Sequence, residues 1–371
     1  MSWIYCESRC ILKIKRISIY PEFQCTGTDC PVNCCKGWKI PIDKASYLKF
    51  LHEKGIFGTL LRCSIIRGED IISFRNELGR CPFLGFDRLC TIQKKHGIEY
   101  MPLVCKQFPR QLYNLGFFCE ETLYLACPEA ARLFLVHAQQ DSPFVFEEIE
   151  DEVSYEVNTT NDDEAFLEYL LQSRETLSQM LRDGCSYDSM SILHYGRDAQ
   201  NACLNKTSLP SPLDYHEELS KRYVMDCDIM DKLFFNGFFH PSLKMLSPFL
   251  YKLCKKYIRT FGFPNRRNQK TAERKRMALK EHLWLLLPDL DKLLDRYYEY
   301  YLQTNFLDIF EDYSFSKHLL FGMAKTNMLW LFFALYAKNK KHLSIDELAK
   351  IMAIYERRAP QIEDALRYIP K

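Results

Sequence analysis

The sequence predicts a mainly α-helical protein in which a small, irregular, cysteine-rich domain precedes an all-helical domain. Three observations carry that reading. Apolar residues recur at three- and four-residue spacing through most of the chain after residue 165, the pattern of helices with one buried face. Twelve of the 16 cysteines fall in the first 127 residues, so the two parts of the chain differ chemically. None of the 14 glycines forms a G-x-G pair, which removes the dinucleotide fingerprint, the Walker A loop and the glycine-rich first turn of a doubly wound sheet.

The cysteine-rich domain is expected over residues 1–140. Within it Pro41-Ile-Asp43 before KASYLKFLHEKG reads as an N-capped short helix stopping near Gly55. Residues 71–74 and 81–92 read as short strands around turns. Residues 141–164, DSPFVFEEIEDEVSYEVNTTNDDE, gather ten acidic side chains while helical periodicity lapses, giving a linker or an acidic hairpin at a domain edge. The helical domain is expected over 165–371. AFLEYLLQSRETLSQMLRD opens it and stops at Gly184, placed as a C′ glycine. Further stripes run through about 217–235, 242–262, 272–286, 289–305, 315–338 and 345–357, seven helices in all, and Ser344-Ile-Asp-Glu347 has capping-box spacing.

Composition narrows the partners. Fifty Lys+Arg against 48 Asp+Glu leave a net charge of +2, too little for a duplex held by bulk electrostatics, so no nucleic acid is expected. The longest uncharged apolar run, residues 328–337, is far short of the roughly 18 a membrane span needs, so no membrane is expected. Charges from Glu7 to Arg16 interrupt any secretory apolar block, and a cytoplasmic location is expected. No HxxxH or HExxH pattern supports a zinc hydrolase.

The cysteines follow a pattern: Cys25-x4-Cys30-x3-Cys34-Cys35-x-Gly37-Trp38, then Cys81-Pro82, Leu89-Cys90, Cys105-Lys-Gln-Phe108-Pro109-Arg110 and Cys127-Pro128. Cys25, Cys30, Cys34, Cys35, Cys81, Cys90, Cys105 and Cys127 are therefore the candidate metal ligands. Thiolates are soft donors, and short spacings let successive sulfurs converge on one centre. Spacing alone leaves an all-thiolate zinc site and a four-iron cluster equally open. Cys30-x3-Cys34 begins like a radical S-adenosylmethionine triplet, but the third cysteine is adjacent, so a structural or redox role is the preferred assignment.

The run FQCTGTDCPVNCCKGWKIPID followed in order by CPFL, LCTI, CKQFPR and LACPEAARLFL resembles the flagellin lysine N-methylase family, whose N-terminal part belongs to the CxxxCC zinc- or iron-chelating group. The resemblance is close over residues 20–135. Beyond that, Tyr298-Glu-Tyr-Tyr301-Leu-Gln-Thr-Asn305-Phe306 resembles a similarly placed family segment, and YERRAPQIEDAL keeps an arginine without the histidine expected after it. The resemblance implies a 4Fe-4S cluster, S-adenosyl-L-methionine as methyl donor and flagellin lysines as acceptors. Methyl transfer needs a neutral amine, although the free lysine pKa is about 10.4, and burial among aromatic rings lowers it and stabilises the developing cation. Tyr298, Tyr301 and Phe306 are the candidate substrate or cofactor contacts, with the donor expected between the two domains. The competing readings are a non-catalytic metal-binding module and a radical methylase.

Overall fold

The computed structural model describes residues 13–68, 71–76, 79–139, 144–149, 162–218, 221–222, 225, 227–240, 243–264, 268–360 and 362. The chain opens with β1 (Lys13–Ile17), α1 (Lys44–His52), α2 (Gly55–Cys63), β2 (Ile65–Arg67), β3 (Ile72–Phe74), α3 (Thr91–His96) and α4 (Leu103–Gln107). Then come β4 (Arg110–Asn114), β5 (Phe118–Leu123), α5 (Pro128–Gln139) and β6 (Phe146–Ile149). Helices follow: α6 (Glu164–Arg182), α7 (Met190–Asn205), α8 (Cys227–Leu233), α9 (Leu243–Leu246), α10 (Pro248–Phe261), α11 (Gln269–Leu286), α12 (Leu290–Asn305), α13 (Ile309–Asp312), α14 (Phe315–Ala337) and α15 (Ile345–Glu356). The mainly α class expected from periodicity is what the protein adopts, and every described strand precedes residue 150.

Local signals act as expected at several ends. Asp43 accepts from the Ser46 amide at the start of α1. Ser344 and Glu347 form the reciprocal capping box of α15. Gly184 follows α6 with φ +97, where a side chain would strain the backbone. Elsewhere the elements differ from the periodic reading. α7 is an additional helix, and the stripe at 242–262 is broken into α9 and α10 by Ser247-Pro248. α8 continues through a π-helical turn, Phe234–Phe238. Within 81–92 only an isolated bridge, Leu84 with Cys90, precedes α3.

The larger departure is a four-stranded sheet in the part expected to be irregular, in the order β4-β5-β1-β6. β1 runs parallel to β5 and antiparallel to β6, and β4 is antiparallel to β5. Its strands hide from the alternation test because buried positions carry charge: Glu121 meets Arg16 at 2.5 Å and Glu120 takes a two-pronged bond from Arg174 at 2.7 and 2.9 Å. Part of the expected acidic linker, residues 146–149, is strand β6, while 140–143 and 150–161 lie outside the described residues.

The apolar cores divide at a different place from the change in composition. One small core, holding Ile40, Phe50, Leu61, Phe74, Cys81, Phe83 and Met101, belongs to residues 40–105. The other joins the sheet and α5 to the helices, with Ile17, Leu123, Phe134, Tyr300 and Phe332 in one continuous cluster. At its centre α14 packs against α7, α10, α11, α12 and α15. α14 is long and apolar enough to cross a membrane, yet it is covered on most of its surface by these neighbours. Gly322 lets α12 approach it: a Cβ there would lie 2.5 Å from the rings of both Tyr298 and Tyr301.

Candidate functional site

The cysteine loops are shaped by backbone bonds. Asn33 accepts from the Cys35 amide at 2.9 Å and donates to the Arg88 carbonyl at 2.8 Å, folding the CxxxCC turn onto the loop that precedes Cys90. Gly37, at φ +85, turns the chain so that its amide reaches the Gly79 carbonyl, and the Cys81 amide donates to the Cys35 carbonyl at 2.7 Å. Cys90 sits at the N-cap of α3, Cys105 lies within α4, and Cys127 immediately precedes α5.

Seven of the eight expected cysteines come within electrostatic reach of one another. Cys34 is the hub, facing Cys35 and felt also at Cys30, Cys90 and Cys105. Cys35 hydrogen-bonds to both Cys34 and Cys81, and Cys127 feels Cys30. Cys25 is exposed, its sulfur 3.5 Å from the Gly27 amide.

The network holds its thiols protonated. Donation of its proton to Cys35, together with burial, pushes Cys34 far up. For Cys35 the bond to Cys34 acts downward, but the bond to Cys81, burial and neighbouring thiols outweigh it. Burial carries Cys105 to about 12 and Cys127 to about 11, and raises Cys30 and Cys90. Crowded, desolvated thiols of this kind release their protons when a cation arrives. Soft, mutually close donors suit a thiolate-bound metal or iron–sulfur cluster in kind. Among the described residues, no three such side chains are drawn tightly enough to hold one ion without moving.

The helical body reaches this cluster through Arg357, just past α15. Its buried guanidinium donates to the carbonyls of Val32 (3.1 Å), Asn33 (3.0 Å), Lys36 (2.6 Å) and Ala126 (3.1 Å). Burial lowers its pKa, and the facing Cys34, Cys127 and Cys30 act in the opposite direction. No carboxylate among the described residues pairs with it; its hydrogen bonds go to these four carbonyls, with the Cys34, Cys127 and Cys30 thiols near enough to favour its charge.

The preceding residue, Glu356, faces a cavity of about 300 Å³ between the sheet and α12, α14 and α15. Tyr124, Tyr297, Tyr300, Tyr301 and Phe321 wall it, with Lys325, Asp308 and Gln111 as polar groups. Lys325 pairs with Glu356 at 3.0 Å and lies over the Tyr301 and Tyr297 rings at 5.5 and 5.8 Å. Tyr297 donates to the same carboxylate, and burial with the Glu356 charge holds its phenol well above the usual range. Tyr124 donates to the Glu356 carbonyl at 2.8 Å, tying β5 to the end of α15.

Of the three aromatic positions singled out from sequence, only Tyr301 reaches this wall. Tyr298 is fully buried and donates to the Leu319 carbonyl at 3.2 Å, while Phe306 packs edge-on against Phe315. Tyr298 is spent on packing against α14 because α12 is buried on nearly every side, and Phe306, in the turn just past α12, packs on the start of α14. Lys325, Glu356, Tyr124 and Arg357 were not singled out as site residues. The signal for Lys325 was a lysine inside the long apolar stripe, where an unpaired charge is costly.

A helical protein in which a thiol cluster and a tyrosine-walled cavity adjoin at the end of one helix defines the class. The flagellar biosynthetic protein FliU of Salmonella muenchen is 37% identical over 123 residues, 31% of this chain and 72% of the relative. The lysine-N-methylases of Salmonella typhimurium and Salmonella choleraesuis are also 37% identical over 123 residues, which cover 30% of each relative. No protein-family model and no solved structure matches the chain. The chain belongs to the FliU and lysine-N-methylase family.

Proposed function

We propose that the protein is an S-adenosylmethionine-dependent lysine N-methyltransferase acting on flagellin, with a thiolate-ligated 4Fe-4S cluster in a structural or redox role. The observation that carries the reading is the tyrosine-walled cavity, which already holds one ammonium, Lys325, between aromatic faces and a carboxylate. The names of the relatives supply the reaction class and the flagellar link. The volume, at the lower end of small-molecule sites, suits a lysine side chain and the reactive end of a methyl donor.

When bound, the donor supplies a methyl group on a sulfonium. The chain's residues do the rest. Tyr300 and Tyr301 exclude water and present ring faces to positive charge. Desolvation among these rings favours the neutral amine, and the carboxylates of Asp308 and Glu356 receive the ammonium on arrival and after methylation. Cys34, Cys35, Cys81, Cys90, Cys105, Cys30 and Cys127 supply the soft donors for the cluster, and Arg357 the countercharge. A cytoplasmic, reducing location keeps such thiols available.

The test incubates anaerobically purified protein with flagellin and S-adenosylmethionine, with and without dithionite, alongside iron and zinc analysis. Methylated lysine without reductant supports direct displacement. Methylation only with reductant, with 5′-deoxyadenosine formed, replaces it with the radical route. Iron-free protein containing stoichiometric zinc overturns the cluster assignment. No transfer under either condition leaves a metal-binding module.

A further inference from the structure

The tyrosine cavity has a concave neighbour. A second concavity of about 500 Å³ lies beside it, and the two share Gln111 and Tyr124 as common wall. Ile71, Ile72, Pro41 and Trp38 form one side of this groove, and Phe108 to Leu112 the other. Ile71 and Leu103 are about half exposed there (both 49%), an apolar surface left open on the small core.

The wall made by β4 is an edge. β4 is the terminal strand of its sheet and pairs only with β5 among the described strands. The Tyr124 amide donates to the Pro109 carbonyl and the Leu115 amide to the Phe118 carbonyl, so odd-numbered backbone groups of β4 face β5. By that alternation the amide and carbonyl of Leu112 point away from the sheet, toward the groove side. An unpaired edge beside an apolar trough is the arrangement that accepts an added strand. Asp43 in the groove, held below the usual carboxylate range by the Leu103 and Ser46 amides against an upward push from burial, stays ionised, and Asp308 stands in the cavity beyond. The path therefore leads from backbone docking, past Gln111 and Tyr124, to acidic groups among tyrosines.

We infer that this groove docks an extended, lysine-bearing polypeptide segment as an added strand on β4, with the lysine side chain passing between Gln111 and Tyr124 into the tyrosine cavity. The inference rests on the methyltransferase reading for what happens to that lysine, but the docking is measured separately. Leu112→Pro removes an amide that no described strand pairs with, at an edge position where proline is tolerated. Ile71→Glu charges the opposite, exposed wall and keeps the test open should the proline variant misfold.

The probe is a fluorescently labelled, strand-forming peptide with one central lysine, with a norleucine counterpart, titrated against the full chain by anisotropy. Each variant is expected to weaken lysine-peptide binding by about tenfold or more. Norleucine should weaken it as well, and bound peptide should slow hydrogen exchange at Arg110 to Leu112. Absent binding, binding unchanged by Ile71→Glu or by a folded Leu112→Pro, equal affinity for the norleucine peptide, or unaltered exchange at β4 would overturn the inference. Failure of the functional reading looks different: the peptide binds and protects β4, and no methyl group is transferred.

Discussion

Residues 40–105 and the helical body both bury apolar side chains, but by different means. The small core has nine buried hydrophobic members, one of them Cys81, and around it Cys35, Cys90 and Cys105 are packed as partly buried neighbours. The helical body has a continuous interior in which α12 and α14 alone bury several aromatic rings fully. A unit of roughly 60 residues hides only about 60% of its unfolded surface, and at that size metals commonly supply what the core lacks. The thiols are therefore placed where the apolar surface is thinnest. Arg357 is the joint between the two regions, and Glu356 beside it makes the same turn of chain a wall of the cavity.

The largest expected effect breaks the small core alone. Cys34→Ser removes the hub of the network, and we expect metal content to fall and residues 40–105 to become protease-sensitive, while helicity from the remaining chain persists. Iron and zinc analysis with limited proteolysis checks this. Simultaneous collapse of both regions would show that they do not differ in their source of stability.

A next, smaller effect uncouples the two regions. Arg357→Met keeps much of the side chain's bulk but takes a donor from four carbonyls; those of Val32 and Asn33 keep the Cys30 thiol and the Lys36 amide, so the cost, about 1–3 kcal/mol for each group that stays buried and unsatisfied, falls on the Lys36 and Ala126 carbonyls. We expect amide exchange to accelerate at residues 30–36 and 126–127, with the metal lost more readily to a chelator. Unchanged exchange there would mean that the loop is held by the thiols without the joint.

The smallest effect concerns the helical body and sharpens the contrast in acid–base behaviour. Asp295, in α12, accepts from the Tyr187 amide at 2.7 Å and from Ser186 at 3.2 Å, yet burial lifts its pKa from 3.8 to about 7. A carboxyl raised in the fold contributes stability that is complete below its unfolded value, near pH 4, and is lost as pH climbs through 7. Asp295→Asn keeps an acceptor oxygen without the charge. Wild type should lose about 2–3 kcal/mol relative to the variant between pH 5 and pH 8. Denaturant unfolding at the two pH values measures it, and a pH-independent difference would refute the assignment.

Much of the helical half was legible because buried helix faces repeat every three to four residues over long stretches: α6, α11, α12, α14 and α15 all lie where the stripes run. α7 escaped because MSILHYGRDAQNACLN mixes small and polar residues into a face that is nonetheless buried against α14. The sheet escaped for a different reason. Short strands with buried glutamates have no alternating pattern, and their charges are neutralised by arginines as far away in sequence as Arg174.

For the site, the sequence by itself determined the chemistry of the donors. Cysteine spacing is local, and the turns that present Cys34, Cys35 and Cys81 are made by neighbours such as Asn33 and Gly37. Tertiary structure alone decided what faces those donors and where the cavity lies. Tyr298 and Tyr301 are three residues apart on one helix, yet only the second reaches the cavity, because the packing of α14 consumes the other. Arg357 meets Asn33 across 324 residues, and Glu356, Lys325 and Tyr124 converge from three separate elements. A contact between distant segments is set by which faces the cores bury, and no local spacing in a single chain records that choice.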